Sequence, residues 1–179
     1  MPLSTSPSGR RVVVTGATGG IGRAIVESLS AAGCAVGACD VSPAVESAFD
    51  ALEQSGDGRI VLISSVAAET GLPGQVAYAA AKAGTVGLAK TLAGEWGPRG
   101  IRCNVVMPGF IATPKVRALP ERMRDGLSAA VPLARIGETD ELAGTVAFLL
   151  SPAAAYINGA VIRVDGGFGL STGGLMTGT

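Results

Sequence analysis

Five short runs of β-branched and aliphatic residues punctuate the chain, each closed by glycine, serine or an acid. They are "RRVVVTG" (10–16), "CAVGACD" (34–40), "RIVLISS" (59–65), "IRCNVVMPG" (101–109) and "AVIRVDGG" (160–167). Continuous apolar runs of this length predict strands buried on both faces. The intervening segments change period. In 20–33 the apolar positions Ile21, Ala24, Ile25, Leu29 and Ala32 recur at helical spacing, and Gly33 ends the helix. Ser42 and Pro43 predict the start of a second helix, with Val45, Phe49 and Leu52 on one face and an end near Gly56. A long helix is expected over 75–96, stopped by Gly97-Pro98. Residues 114–130 read as loop and short helix, and 139–150 as another helix. Strands alternating with helices mean an α/β fold, a doubly wound parallel sheet covered on both faces. No repeat or linker divides the chain. The expectation is one domain over 1–179, with a flexible lead at 1–9 and an irregular tail at 169–179.

Composition narrows the chemistry. Hydrophobic residues make up 47% and charged residues 16%, so the chain is of the folding kind. Fourteen basic and fourteen acidic residues balance, which argues against a nucleic-acid or anionic-membrane surface. No apolar run is long enough to span a bilayer. The start lacks the apolar core of a signal peptide, so a cytoplasmic setting is expected. Cys34, Cys39 and Cys103 follow no metal spacing and read as reduced thiols. Histidine is absent, which removes histidine bases and histidine metal ligands together. No metal site is expected.

Three constellations remain. Gly16, Gly20 and Gly22 lie between the first strand and the first helix. Glycines there let backbone N–H groups approach a pyrophosphate at the positive end of a helix, although a tight turn without a ligand uses them too. Asp40 ends the second strand, where an acid hydrogen-bonds an adenosine ribose and repels a 2′-phosphate. That favours NAD over NADP. A turn aspartate before Ser42-Pro43 is the alternative. Finally, Tyr78 and Lys82 lie four apart on the long helix and share a face. An ammonium beside a phenol favours the phenolate, which suits proton exchange with a carbonyl or alcohol oxygen. Ser65, at the carboxyl end of the third strand, offers a hydroxyl to the same oxygen.

These motifs resemble those of the short-chain dehydrogenase/reductase family. The matching pieces are "TGATGGIG", the serine pair ending at Ser65, "YAAAK", "NVVMPGFIATP" and "DGG", spread from Arg10 to Phe168. "GIRCNVVMPGFIATP" and "YINGAVIRVDGG" look closest to 3-oxoacyl-ACP reductases and related hydroxyacyl or hydroxysteroid dehydrogenases. The resemblance implies a Rossmann-like fold and an NAD(P)(H)-dependent hydride transfer between nicotinamide and a carbonyl or alcohol. It makes Ser65, Tyr78 and Lys82 catalytic, with Tyr78 as acid/base and Lys82 also on the nicotinamide ribose. It assigns the cofactor to Gly16, Thr18, Gly20, Ile21, Gly22, Asp40, Tyr78, Lys82, Pro108, Gly109, Ile111 and Thr113. It places a substrate pocket under 114–131, where Ala118, Leu119, Met123 and Leu127 suggest an apolar ligand. It implies a homodimer or homotetramer built on the helices at 75–96 and 43–54, or pairing with a full-length relative.

The resemblance also exposes a gap. Family members carry two further strands, and a catalytic asparagine, between the positions of Asp40 and Ser65. Here 25 residues separate those two, and no asparagine precedes Asn104. Removing the third and fourth strands from the family order 3-2-1-4-5-6-7 leaves 2-1-5-6-7, renumbered 2-1-3-4-5, which keeps right-handed crossovers. Closing up the sheet would bring the Ser65 strand about 4.8 Å nearer the glycine turn. Catalytic geometry tolerates about 0.5 Å. A catalytically silent relative, serving as a subunit or nucleotide-binding module, is therefore the second reading.

Overall fold

The computed structural model describes residues 4–38 and 52–170. Five strands run in the expected places: β1 (Arg11–Val14), β2 (Ala35–Ala38), β3 (Gly58–Ile63), β4 (Ile101–Pro108) and β5 (Val161–Val164). The helices are α1 (Gly20–Ala31), α2 (Ala67–Thr70), α3 (Val76–Trp96), α4 (Pro114–Arg117), α5 (Glu121–Ala129) and α6 (Thr139–Leu150). The short α2 has no periodic signal in the sequence. Asp40, Cys39 and the helix start at Ser42-Pro43 lie outside the described residues, as do the chain's first three and last nine positions.

All strand pairs are parallel, as the α/β alternation requires. The order 2-1-3-4-5 needs one correction. Among the described residues the strands form two ladders, β2-β1 and β3-β4-β5, and no ladder joins β1 to β3. The sheet has not closed up across the seam. What holds the halves side by side is the helix layer. Val12 and Val14 of β1, Val36 of β2, Val61 and Ile63 of β3 and Val106 of β4 all pack into one core. That core is completed by Ala24, Ile25 and Leu29 of α1 and by Leu142, Val146 and Leu149 of α6. Leu29, Leu142 and Leu149 are wholly buried. Each contributes about 1.5–3 kcal/mol by leaving water. At the strand starts, Arg10 Nη2 meets Asp57 Oδ2 at 2.6 Å and ties the beginning of β1 to that of β3.

The opposite face is covered unevenly, which corrects the expectation of five fully buried strands. α3 packs Ala89 and Ala93 against Cys103 and Val105 of β4, with Ile60, Leu62 and Val161 around them. Its coverage stops at β3. Val13 of β1 is 60% exposed, and Arg11, Ala35, Gly37 and Ala38 are exposed too. No described helix lies over that side of β1-β2.

Two strand arginines brace α6. Arg59 donates to the Leu150 carbonyl, while Arg102 donates to Leu149 O at 3.0 Å and to Ile157 O at 2.8 Å. Cations at a helix C-terminus satisfy its last carbonyls and complement its dipole. Burial lowers the affinity of both guanidinium groups for their proton, yet arginine stays charged.

Candidate active site

The predicted residues gather at the carboxyl ends of the strands, where a parallel sheet presents its ligands. β1 ends in a turn whose shape requires glycine. Gly16 has φ of +68°, in the left-handed region. A Cβ on Gly22 would lie 2.1 Å from Gly16 O. α1 then begins at Gly20, with Gly19 at its N-cap, no side-chain cap and no acid in its first turn. Gly19 N–H bonds Gly16 O, and Arg23 N–H bonds Gly19 O. The N–H groups of Gly20, Ile21 and Gly22 are therefore the unpaired donors of the first turn. They form a cradle suited to a phosphate. The Ile21 side chain packs back onto the core, and Thr18 lines a shallow cleft with Gly20, Ala112 and Pro114.

The segment after β4 closes on this turn. A Cβ on Gly20 would lie 2.7 Å from Pro114 Cδ and 3.1 Å from Thr113 Cβ. Thr113 is the N-cap of α4, its hydroxyl accepting Val116 N–H at 3.4 Å. Ile111 is buried and pairs with Gly137. Gly109, after Pro108, has no room for a side chain, because a Cβ would lie 2.7 Å from Asp165 Cβ. "PGFIAT" thus runs from the "DGG" turn to the glycine turn.

The second cluster sits where β3 ends against α3. Ser65 is buried, and its hydroxyl oxygen accepts Ala67 N–H at 3.2 Å, which leaves its hydrogen to donate. Val66 N–H bonds Pro108 O at 3.0 Å and links the serine turn to the "PG" segment. Tyr78 lies in the first turn of α3, 43% exposed. Lys82 Nζ stands 5.7 Å from the centroid of the Tyr78 ring. The lysine is also held from below, its Nζ donating to Ile63 O at 2.8 Å. Ser64 Oγ donates to Lys82 O at 2.7 Å. Nothing in the spacing of "SS" marks Ser64, whose partner on α3 is distant in sequence. Its work is to lock α3 to β3.

Asp40 lies outside the described residues, so its ribose role has no geometry here. In the proposed substrate cover, Ala118 and Met123 are exposed and Leu119 and Leu127 half-buried, so α4 and α5 form an open flap. Elsewhere a cleft of about 470 Å³ opens between Phe110, Leu133, Arg135 and the Asp165–Gly167 turn. No group of metal ligands occurs among the described residues. Nor is any described helix long and apolar enough to cross a membrane.

The family model described as Enoyl-(Acyl carrier protein) reductase matches residues 45–169. The chain belongs to the short-chain dehydrogenase/reductase family. It is 46% identical over 123 residues to the rat (Rattus norvegicus) (3R)-3-hydroxyacyl-CoA dehydrogenase, covering 68% of this chain and 48% of that protein. It is 52% identical over 110 residues to the Escherichia coli (strain K12) 3-oxoacyl-[acyl-carrier-protein] reductase FabG, covering 62% and 45%. The chain spans about half the length of the curated relatives it matches. The family match begins beyond β2, so the glycine-turn unit rests on the structural likeness. A crystal structure described as an NAD(P)-dependent gluconate 5-dehydrogenase from Beutenbergia cavernae, with NADP at low occupancy, superposes with a TM-score of 0.82. That pair is 27% identical, over 92% of this chain and 98% of that one.

Proposed function

We propose that this chain is an NAD(P)(H)-dependent oxidoreductase acting on a carbonyl/alcohol pair, of the 3-oxoacyl or hydroxyacyl thioester kind its curated relatives are named for. The observation that carries this reading is the Lys82 ammonium standing 5.7 Å from the centroid of the Tyr78 ring and bonded to Ile63 O at the end of β3, the strand that leads into Ser65. The first-turn amides of Gly20, Ile21 and Gly22 would hold the pyrophosphate, and Ile111 and Thr113 would border the nicotinamide. When bound, the nicotinamide supplies or accepts the hydride. Tyr78 gives the proton to the carbonyl oxygen or takes it from the alcohol. Ser65 donates its remaining hydroxyl hydrogen to that same oxygen. Lys82 places a positive charge beside the Tyr78 ring, where the proton is exchanged. NAD is the preferred cofactor because of Asp40, and Asp40→Arg should turn preference toward NADP.

Calorimetric titration with NADH tests the first half. Micromolar binding at one site per chain is expected, and no binding at millimolar cofactor would overturn the reading. NADH-dependent ketone reduction, lost in Tyr78→Phe with cofactor binding kept, tests the second. The Lys82 ammonium spends one of its three donors on Ile63 O, which leaves two for a cofactor hydroxyl. For assembly we propose pairing through α3, which exposes Val76 by 82% and Leu88 by 52%.

A further inference from the structure

The seam between β1 and β3 has a definite hydrogen-bonding pattern. Within a strand, the N–H and C=O of one residue point to one side, and the next residue's to the other. Ala35 N–H bonds Arg10 O, so Arg10, Val12 and Val14 address β2. Arg11 and Val13 therefore address the seam. Gly58 N–H bonds Gly100 O and Ser64 N–H bonds Val106 O, so Gly58, Ile60, Leu62 and Ser64 address β4. Arg59, Val61 and Ile63 address the seam from the other side. Among the described residues no ladder reaches either edge. The edges lie in one layer, because Val12, Val14, Val61 and Ile63 pack into the same core. The Arg10–Asp57 ion pair closes the seam at the strand starts. One seam-facing group is satisfied by a side chain: Ile63 O, which accepts from Lys82 Nζ.

We propose that this seam is a slot for one extended segment of a second polypeptide, and that filling it frees Lys82 from the Ile63 carbonyl. Two facing edges of unpaired backbone groups specify a strand as occupant. A second copy of this chain cannot offer one from its sheet, because β2 and β5 each carry the rest of a ladder on one side. The slot matches β1 and β3 in length, four to six residues. The core beneath it is aliphatic, so every second residue of the occupant is apolar. The occupant's N–H competes for Ile63 O, and the ammonium turns to Tyr78. The value of that freed ammonium to hydride transfer rests on the proposed function; the slot itself does not.

The probe is an acetylated and amidated heptapeptide, Lys-Val-Thr-Val-Thr-Val-Lys, added to the full chain. Amide exchange is followed residue by residue by NMR. Val13 and Val61 should exchange rapidly in the chain alone and slow by about tenfold or more with peptide, while the paired Val12 and Ile60 change little. A control peptide with proline at the valine positions should protect nothing. Val13→Pro removes a seam-facing N–H, leaves the β1-β2 ladder intact, and should abolish the protection. Lys82 acylation by a lysine-labelling ester, read by mass spectrometry, should rise on adding the peptide. Unchanged exchange at Val13 and Val61 overturns the slot. So does protection that grows with chain concentration and no peptide, which would make a second copy the occupant. Protection with unchanged Lys82 labelling overturns the coupling. Neither readout measures turnover, so a failure of the proposed activity leaves this test standing.

Discussion

A methyl group on Gly22 would sit 2.1 Å from the Gly16 carbonyl oxygen, and backbone cannot yield as a flexible side chain can. Gly22→Ala should destabilise the chain by about 1–3 kcal/mol, the usual cost of overpacking. Urea unfolding will read that loss, with cofactor affinity falling in parallel. At Cys103 burial pushes the thiol up to about 11. The thiolate is the reactive form, so at neutral pH Cys103 should resist alkylation until the chain unfolds. Cys34, half-buried and donating to Pro7 O at 3.2 Å, should label before Cys103 in a timed iodoacetamide reaction. Equal rates at Cys34 and Cys103 would contradict this burial. These single-residue effects were only partly legible in the sequence. "TGATGGIG" announces that glycines are needed, but not that Gly22 answers to Gly16 and Gly20 to Pro114.

Helix α6 shows how an element is fixed at both ends. At its start Glu138 and Glu141 form a reciprocal capping box. The Arg135 hydrogen bond, then the Glu138 N–H, hold the Glu141 carboxyl down to about 2, from an ordinary 4.5. A carboxyl depressed in the folded state contributes stability above its unfolded value, and loses it as pH falls through the folded one. Stability should therefore decline between about pH 4.5 and 2, and Glu141→Gln should flatten that limb in acid titrations followed by circular dichroism. Glu141 is exposed, so the effect is small and salt-sensitive. Asp57 adds to the same limb. Burial raises its carboxyl, but hydrogen bonds from Arg10 and Arg59 outweigh that and keep it below the ordinary range. The far end of α6 rests on Arg59 and Arg102. Arg102→Met removes two hydrogen bonds to backbone carbonyls; Ile157 O keeps the one from Asn104 Nδ2, whereas Leu149 O loses its side-chain donor, at about 1–3 kcal/mol for that group. A lowered midpoint in thermal unfolding is the expected reading. The extent of α6 could be read from the apolar spacing at 139–150, whereas its two arginine braces come from distant strands.

At the scale of the molecule, two ladders share one helix layer, so the layer is the joint. Leu29 of α1 and Leu142 of α6 are wholly buried in it. Leu29→Ala should cost about 2–5 kcal/mol, as cavities in close-packed cores do. It should also loosen β1-β2 before β3-β4-β5, because the second ladder keeps α3 on its other face. Hydrogen exchange resolves that order, and simultaneous opening of both ladders would mean the seam is sealed.

By itself, the sequence determined the local grammar of this protein. Apolar runs of four to eight residues placed five strands, and helical spacing set α1, α3 and α6 within a few residues. Tyr78 and Lys82 had to share a helix face, because four residues make about one turn. Those features follow from backbone periodicity and steric limits within short stretches. Whether β1 would pair with β3 could be decided only by the tertiary structure. Strand pairing depends on which helices cover which face and on what lies between the edges. Here α1 and α6 bridge the two ladders while the strands stay apart, and the Ile63 carbonyl is met by Lys82 instead of by a neighbouring strand.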